Sequence, residues 1–229
     1  MKVAIIPARA GSKRIPHKNF REFHGKSVIN YSIQAAIESS LFDKIVISTD
    51  EVQVEHYIED LSAVEINSKR PEILADDEAT IRDVIQYEIQ RLGLDRDDEV
   101  CLIYATAPFL KSSNLIESHM MIKNSKADYV LSVGVFSPPI ERALSINEEG
   151  YVSINMARGI NSRTQDLNEC YFDAAQFCWG TVSTFLSDKL VLNANTFPYV
   201  LNRDQVVDID TMDDWNFATK LYSAREDIK

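Results

Sequence analysis

Several features that define other protein classes are missing from this 229-residue sequence. No apolar run is long enough to cross a bilayer, which argues against a membrane-spanning protein. The three cysteines are odd in number and lack C-x-x-C spacing, so they are predicted to be reduced thiols. Lysine and arginine total 24 against 35 acidic residues, a net charge of -11, which disfavours general binding to nucleic acid or to anionic membranes.

The amino-terminal sequence MKVAII lacks a signal-peptide cleavage region and leads directly into a predicted strand. Together with the reduced thiols, this predicts a cytoplasmic protein. The hydrophobic content of 45% is ordinary for a globular chain with a sizeable core. The length favours a single domain over 1–229.

Strand and helix patterns alternate over the first 136 residues. The apolar runs predict strands at 3–6, 44–50, 63–66, 99–104 and 128–136, and helical periodicity predicts helices at 28–39, 52–61, 81–93 and 112–124. This alternation indicates an α/β fold with a mainly parallel sheet and helices on both faces. Ligands of such sheets bind beyond the carboxyl ends of the strands, so the loops 8–27, 49–51, 67–79 and 105–111 are the candidates for a site.

The alternation breaks after residue 136. Two short strands are predicted around the turn NEEG, and a polar stretch follows. Residues 137–170 are too long for an ordinary connection and are predicted to be an inserted oligomerisation arm. Strand-like patterns return at 170–180, 196–201 and 205–210, and a helix is predicted over 211–228.

Positive charge is concentrated directly after the first predicted strand. Residues 9–26 contain one acid, Glu22, and six basic residues, Arg9, Lys13, Arg14, Lys18, Arg21 and Lys26, a local charge of +5. Gly11 permits a tight turn whose backbone amides can bind an anion, and the basic side chains suit phosphate. The loop matches neither common glycine-rich phosphate motif. A solvated surface loop is the alternative, but the position after the first strand favours an anion site.

Two carboxylates are spaced two residues apart in VVDIDTMDDW. In an extended strand Asp208 and Asp210 would face the same side and repel each other unless a cation lay between them. Magnesium is commonly bound by one or two carboxylates together with substrate phosphates. Thr211 is a suitable helix cap, so Asp213 and Asp214 are predicted to be first-turn acids with a structural role.

The basic loop, ARAGSKRIPHKN, resembles the nucleotide-binding signature A-R-G-G-S-K-x-I-P-x-K-N of the cytidylyltransferases that activate nonulosonic acids, among them the CMP-sialic acid synthetases. KRPEILADD, IYATAPFL and VVDIDTMDDW resemble further elements of that family, so the likeness covers essentially the whole chain. Ala10 stands where the family usually has glycine. The resemblance implies a Rossmann-like three-layer α/β/α sandwich of the nucleotide-diphospho-sugar transferase type. It has a mixed, mainly parallel sheet, and 137–170 forms an inserted β-rich dimerisation arm.

The same resemblance implies a Mg2+-dependent nucleotidyltransferase and assigns its site. The implied catalytic residues are Arg9, Lys13, Lys18 and Asp210, and the metal ligands are Asp208 and Asp210. The implied nucleotide-binding residues are Ala8, Arg9, Ala10, Gly11, Ser12, Lys13, Lys18, Asn19, Arg70, Asp77 and Thr106. The implied sugar-binding residues are Arg142, Arg163, Gln165, Tyr171, Asp173 and Gln176, for which surface charge on a dimer arm is the alternative.

Within the family, IYATAPF, PIERAL, SRTQDL and YFDAAQFCWG most resemble the members that activate pseudaminic acid. The implied reaction joins CTP and this nonulosonic acid into a CMP-sugar and releases pyrophosphate, in a homodimer. Phe172, Ala175 and Cys178 differ from that branch. The alternatives are a synthetase for N-acetylneuraminate or legionaminate, or a non-catalytic nucleotide-binding regulator of the same fold.

Overall fold

The computed structural model describes residues 1–76, 78–155, 162–192 and 194–226. Its centre is a seven-stranded sheet. The strands of the whole structure are β1 Lys2–Pro7, β2 Glu22–Phe23, β3 Lys26–Ser27, β4 Lys44–Ser48, β5 Glu65–Asn67, β6 Glu99–Ile103, β7 Tyr129–Val135, β8 Leu144–Ile146, β9 Val152–Ile154, β10 Tyr171–Thr181 and β11 Thr196–Val200. The central sheet has the order β11-β7-β10-β6-β1-β4-β5. Strand β10 runs antiparallel to β6 and β7, and the other neighbouring pairs are parallel.

Helices cover both faces of this sheet. They are α1 Ile29–Ser39, α2 Ile81–Leu92, α3 Ser112–Lys123, α4 Val182–Phe185 and α5 Met212–Glu226. Successive side chains of β1 point to opposite faces, so Ala4 and Ile6 pack with α1 and α3, whereas Val3 and Ile5 pack with α2 and α4. The predicted three-layer α/β/α fold with a mainly parallel, mixed sheet is confirmed.

Local sequence signals determine the ends of α2. The Thr80 hydroxyl accepts a hydrogen bond from the Asp83 amide, and the Asp83 carboxylate accepts one from the Thr80 amide. Gly93 ends the helix in the left-handed conformation at φ 62°, which glycine adopts without a steric penalty. Helix α5 starts in a similar way, because Thr211 and Asp214 exchange hydrogen bonds. The predicted structural role of Asp214 is therefore confirmed.

The predicted helix over 52–61 is wrong. This segment instead forms short 3-10 turns at Val54–Tyr57 and, just beyond, Leu61–Ala63. The buried side chain of Asn30 donates to the Tyr57 carbonyl at 2.8 Å and accepts from the Glu59 amide at 3.0 Å. Since an α-helix needs those backbone groups for its own hydrogen bonds, this contact from α1 ends the turn.

The predicted strand over 205–210 is also wrong, because this segment pairs with no strand among the described residues. It nevertheless alternates as an extended chain: Val207 and Ile209 are buried against α5, while Asp208 and Asp210 lie on the opposite, accessible side. The predicted consequence of the spacing, two carboxylates on one face, therefore holds without a sheet.

The predicted hairpin in the inserted segment is confirmed. Strands β8 and β9 pair antiparallel in a two-stranded sheet of their own, and Gly150 at φ 87° completes the turn. Residues 156–161 of the arm lie outside the described residues. The assignment of 137–170 as an arm of one domain stays a prediction. Within the described part of the chain, no helix combines the length and apolarity needed to span a membrane.

Candidate active site

A cavity of about 690 Å3 lies beyond the carboxyl ends of β1 and β6, where a parallel sheet binds its ligands. The basic loop after β1, the loop 70–81 and the segment after β6 form its walls, together with β10 and the 208–210 segment. The structure brings these predicted site residues to the cavity: Arg9, Gly11, Ser12, Lys13, Lys18, Asn19, Arg70, Thr106, Asp173, Asp208 and Asp210. Residues nearly 200 positions apart in sequence thus line one space.

The basic loop is bound to the acidic segment across this cavity. The Lys18 ammonium group donates to the Ile209 carbonyl at 2.7 Å and to Asp210 Oδ1 at 3.2 Å. The Arg14 guanidinium group donates to Asp210 Oδ2 at 3.1 Å. Both oxygens of one carboxylate therefore contact the loop, and these contacts hold the two cations in place.

The neighbouring carboxylate has a different environment. Asp208 lines the cavity, and desolvation of its carboxylate there, followed by the negative charge of Asp210, raises its pKa above the ordinary aspartate value. Burial likewise raises the pKa of Asp173, which also adds to the negative potential at Asp208. A divalent cation beside this group would relieve that repulsion.

The donor set fits magnesium bound with substrate phosphates. Asp208 and Asp210 offer hard carboxylate oxygens on one face of an extended segment, and no cluster of three or more metal-binding side chains occurs among the described residues. Mg2+ characteristically takes one or two carboxylates and completes its coordination with water and phosphate oxygens. The two aspartates are therefore suited to a substrate-bound ion and not to an all-protein cage.

A second ion pair, between Arg70 and Asp50, lies next to the basic loop, and Arg70 lines the cavity. Arg70 is only 6% exposed and donates to Asp50 Oδ1 at 3.2 Å and to the Ser48 carbonyl at 3.3 Å. Burial lowers its pKa, an effect that the nearby charges of Asp50 and Glu88 oppose. The Ala10 amide also donates to Asp50, at 2.8 Å. Asp50 therefore links the basic loop to Arg70.

A bulge in β10 shapes the wall beside Asp173. The register of β10 against β7 shifts between Asp173 and Cys178, and Ala175 has a left-handed backbone at φ 49°. The Ala175 amide donates to Asp173 Oδ1 at 2.9 Å, which fixes the carboxylate at the cavity. Strand bulges commonly re-aim side chains at active sites in this way.

Sequence reasoning missed several cavity residues. Tyr104 and Ala175 line the cavity, and Asp76 accepts a hydrogen bond from Arg9 at its carbonyl, 3.3 Å away. Arg14 was part of the predicted basic loop but not of the predicted site. The position of Tyr104 directly after a buried strand was an available signal, whereas nothing in the sequence marks the bulge at Ala175.

Some predicted site residues do not line the cavity. They are Ala8, Ala10, Arg142, Arg163, Gln165, Tyr171 and Gln176. The Ala8 amide donates to the Ser48 carbonyl at 2.8 Å, and Gln176 is buried. Arg142 donates to the Ser162 carbonyl at 3.1 Å in the arm. Asp77 lies outside the described residues. The individual roles of all these residues stay predictions.

The chain matches the family model described as "Cytidylyltransferase" over residues 3–149. It is 36% identical to the pseudaminic acid cytidylyltransferase of Campylobacter jejuni, an alignment that covers 98% of this chain and 97% of that protein. It is 30% identical to the N-acylneuraminate cytidylyltransferase of Streptococcus agalactiae, covering 93% of this chain and 51% of that protein.

Among solved structures, the fold is similar to that of a CMP:2-keto-3-deoxy-manno-octonic acid synthetase complexed with CTP. The TM-score is 0.68 and the identity 13%, covering 98% of this chain and 99% of that one. At this identity the likeness supports the fold alone.

Proposed function

Since the chain belongs to the cytidylyltransferase family, we propose that it transfers the cytidylyl group of CTP to pseudaminic acid, giving CMP-pseudaminic acid and pyrophosphate. The observation that carries this proposal is the cavity beyond β1 and β6, where a cluster of lysine and arginine side chains faces two carboxylates. The substrate is inferred from the greater identity to the Campylobacter enzyme than to the N-acylneuraminate enzyme. N-acetylneuraminate and legionaminate are the alternative acceptors.

In this reaction the anomeric hydroxyl of the sugar acid attacks the α-phosphorus of CTP. The new oxygen–phosphorus bond forms as the bond between the α-phosphorus and the bridging oxygen breaks, and pyrophosphate carries away the electron pair. The hydroxyl proton passes to solvent or to pyrophosphate. Little covalent chemistry falls to the protein, which must position the reactants and neutralise charge.

The basic loop supplies that charge. Lys13, Lys18 and Arg9 line the cavity and would bind the phosphates, with Ser12 and the backbone at Gly11 close by. Lys18 and Arg14 already contact Asp210, so each would exchange a carboxylate oxygen for a phosphate oxygen when CTP enters. Asn19 and Arg70 would face the nucleoside side of the cavity.

Asp208 and Asp210 would hold Mg2+, which when bound withdraws charge from the phosphate oxygens. Asp173, whose carboxylate accepts from the Ala175 amide, would accept a hydrogen bond from the sugar acid. The shared cavity and the repulsion between neighbouring carboxylates at Asp208 support these assignments.

The decisive experiment measures pyrophosphate release from CTP and Mg2+ with each nonulosonic acid offered separately. We expect conversion of pseudaminic acid to be at least about a hundredfold more efficient than that of N-acetylneuraminate, because a polar pocket strongly penalises an acceptor that leaves its groups unpaired. Comparable efficiencies would refute the assignment of pseudaminic acid as the preferred acceptor but would leave the proposed cytidylyltransferase activity intact. No release with any sugar acid would favour a non-catalytic regulator.

We also propose a homodimer in which the arm completes the sugar pocket of the neighbour. The hairpin exposes large apolar side chains, with Leu144, Ile146, Tyr151 and Val152 each 61–73% exposed. An isolated two-stranded hairpin is only marginally stable, so a second copy would bury this patch and support it. It would also explain why Arg142 and Arg163 do not line the cavity of their own chain.

The assembly can be tested by multi-angle light scattering at micromolar concentration. Replacing Leu144 and Ile146 by serine should shift a dimer towards the monomer and raise the KM for the sugar acid more than the KM for CTP. A fully active monomeric wild-type protein would contradict the proposal.

A further inference from the structure

Two buried glutamines connect β10 to the segment that carries the aspartates. Gln176 is 1% exposed and Gln205 is 2% exposed. The Gln176 side-chain amide donates to the Gln205 carbonyl. The Gln205 side-chain amide in turn donates to Asn114 Oδ1 at 3.1 Å and to the Phe109 carbonyl at 3.5 Å. The two residues thus form a continuous buried link between the sheet, this segment and α3.

The segment 201–210 needs such support because it has no strand partner among the described residues. Its start is attached to the sheet by the Leu201 amide, which donates to the Val133 carbonyl at 2.9 Å. Near its end, Lys18 contacts the Ile209 carbonyl. Between these points, the Gln176 hydrogen bond fixes the backbone three residues before Asp208.

The backbone of Gln176 is itself firmly held. Its amide donates to Ser132 Oγ at 3.3 Å, and its carbonyl accepts from the Tyr104 amide at 2.9 Å. It therefore lies between β6 and β7 and follows Ala175 in the bulge. The side chain extends from a rigid point beside Asp173 to the segment opposite.

Stability alone does not account for this side chain. Its Oε1 atom is buried and has no hydrogen-bond partner among the described residues. A buried acceptor without a partner is destabilising, and an apolar side chain of similar shape would avoid that cost. The amide is better explained by what its N–H group holds in place.

We propose that Gln176 is a positioning residue: through the Gln205 carbonyl it sets where Asp208 and Asp210 lie relative to Asp173 and Lys18. This role rests on the proposed function, in which those two carboxylates hold Mg2+. Residues that orient metal ligands typically change metal affinity or activity by about tenfold to a hundredfold when they are replaced.

The test replaces Gln176 by methionine, which has a similar shape but cannot donate. Gln86→Met is the matched control, because the Gln86 amide also donates to a backbone carbonyl, that of Phe185, at 2.8 Å between α2 and α4. We expect Gln176→Met to lower kcat and to raise the Mg2+ concentration for half-maximal rate, each by about tenfold or more. The KM for CTP should change less, and both variants should melt within a few degrees of the wild type.

Two further measurements separate positioning from a general structural role. Binding of Mn2+ in the presence of CTP, followed by electron paramagnetic resonance, should weaken in Gln176→Met and not in Gln86→Met. Adding Gln176→Met to Asp208→Asn should lower kcat little beyond the loss in Asp208→Asn alone, because the effects of two residues that act through one group are not additive. If Gln176→Met does not fold, Gln176→Asn serves instead, since its shorter amide cannot reach the carbonyl.

The outcomes distinguish this inference from the proposed function. A wild-type protein that releases no pyrophosphate would refute the function itself. An active wild type that binds no Mn2+ would refute both the metal site and the role of Gln176. An active, metal-binding wild type whose Gln176→Met variant keeps the normal kcat and Mg2+ requirement would overturn this inference alone. Additive effects with Asp208→Asn, or an equal loss in Gln86→Met, would also overturn it.

Discussion

Lys18 and Arg14 contact the same carboxylate from different environments, and this makes them a matched pair for mutation. The Lys18 side chain is 21% exposed and also donates to the Ile209 carbonyl. The Arg14 side chain is 65% exposed, and its one described partner is Asp210. Replacing each by methionine removes one positive charge near Asp210, but only the Lys18 change leaves a partly buried carbonyl without its donor.

The expected loss of stability differs accordingly. A hydrogen bond to a charged group contributes roughly 1.5–3 kcal/mol, so screening by solvent at the half-exposed Asp210 leaves about 2 kcal/mol for Lys18→Met. An exposed ion pair contributes about 0.2–1 kcal/mol, which is the range for Arg14→Met. For a chain of this length, about 1 kcal/mol lowers Tm by roughly 2–4 °C. We therefore expect Lys18→Met to lower Tm by about 4–8 °C and Arg14→Met by no more than about 4 °C.

The assays are thermal unfolding of the ligand-free protein and the kinetics of pyrophosphate release. If, on the proposed function, the Lys18 contact strengthens during cytidylyl transfer, kcat should fall by roughly 10²–10³, as for other charge-stabilising donors. If it binds CTP and the transition state equally, only the KM for CTP should rise. Equal Tm losses in the two variants would refute the structural reasoning, and unchanged CTP kinetics in Lys18→Met would refute a phosphate role for that residue.

Three further predictions concern charge, backbone strain and thiols. The raised pKa of Asp208 means that its charged form opposes folding. Asp208→Asn should therefore stabilise the metal-free protein in urea unfolding, by a small amount in acid and by more as the pH rises through that pKa. A stability gain that shrinks with rising pH would contradict this. A left-handed backbone costs a non-glycine residue about 1–2 kcal/mol, whereas glycine loses about 0.5–1 kcal/mol in chain entropy on folding. Ala175→Gly should therefore stabilise the protein by roughly 0.5–1 kcal/mol in the same assay, and destabilisation would show that the bulge is not strained. Burial raises the pKa of Cys101 and Cys178, so Ellman's reagent should modify only Cys170 rapidly in the native protein, and three equal rates would refute this.

The layered architecture could be predicted because its signals are local. Each buried strand is a short apolar run, and α2 carries both its capping box and its terminal glycine in the sequence. The prediction of a helix over 52–61 failed because of a contact from outside that segment. The Asn30 side chain hydrogen-bonds the backbone groups that a helix would use. Tertiary contacts override local propensity most easily in short, weakly apolar segments.

The candidate site shows a similar division. The i, i+2 spacing correctly predicted two carboxylates on one face, because buried Val207 and Ile209 alternate with them even outside a sheet. The sequence could not reveal that Asp210 would be paired with the basic loop, because that contact spans nearly 200 residues. It also gave no sign of the strand bulge or of the buried glutamine link, which depend on the packing of β10 against its neighbours.

The pairing of the basic loop explains why an acidic chain can keep a cluster of cations at one cavity. Asp210 contacts both Lys18 and Arg14 and offsets part of their positive charge, and Asp50 is paired with Arg70. On the proposed function, a triphosphate would compete with these carboxylates, and Mg2+ would take over Asp210 as the cations turn to phosphate. Bound Mg2+ would occupy the carboxylate that competes with phosphate, and bound phosphate would occupy the cations that compete with Mg2+. Each ligand should therefore raise the affinity of the protein for the other. On the proposed function, these acidic residues would therefore be part of the nucleotide site and not an obstacle to it.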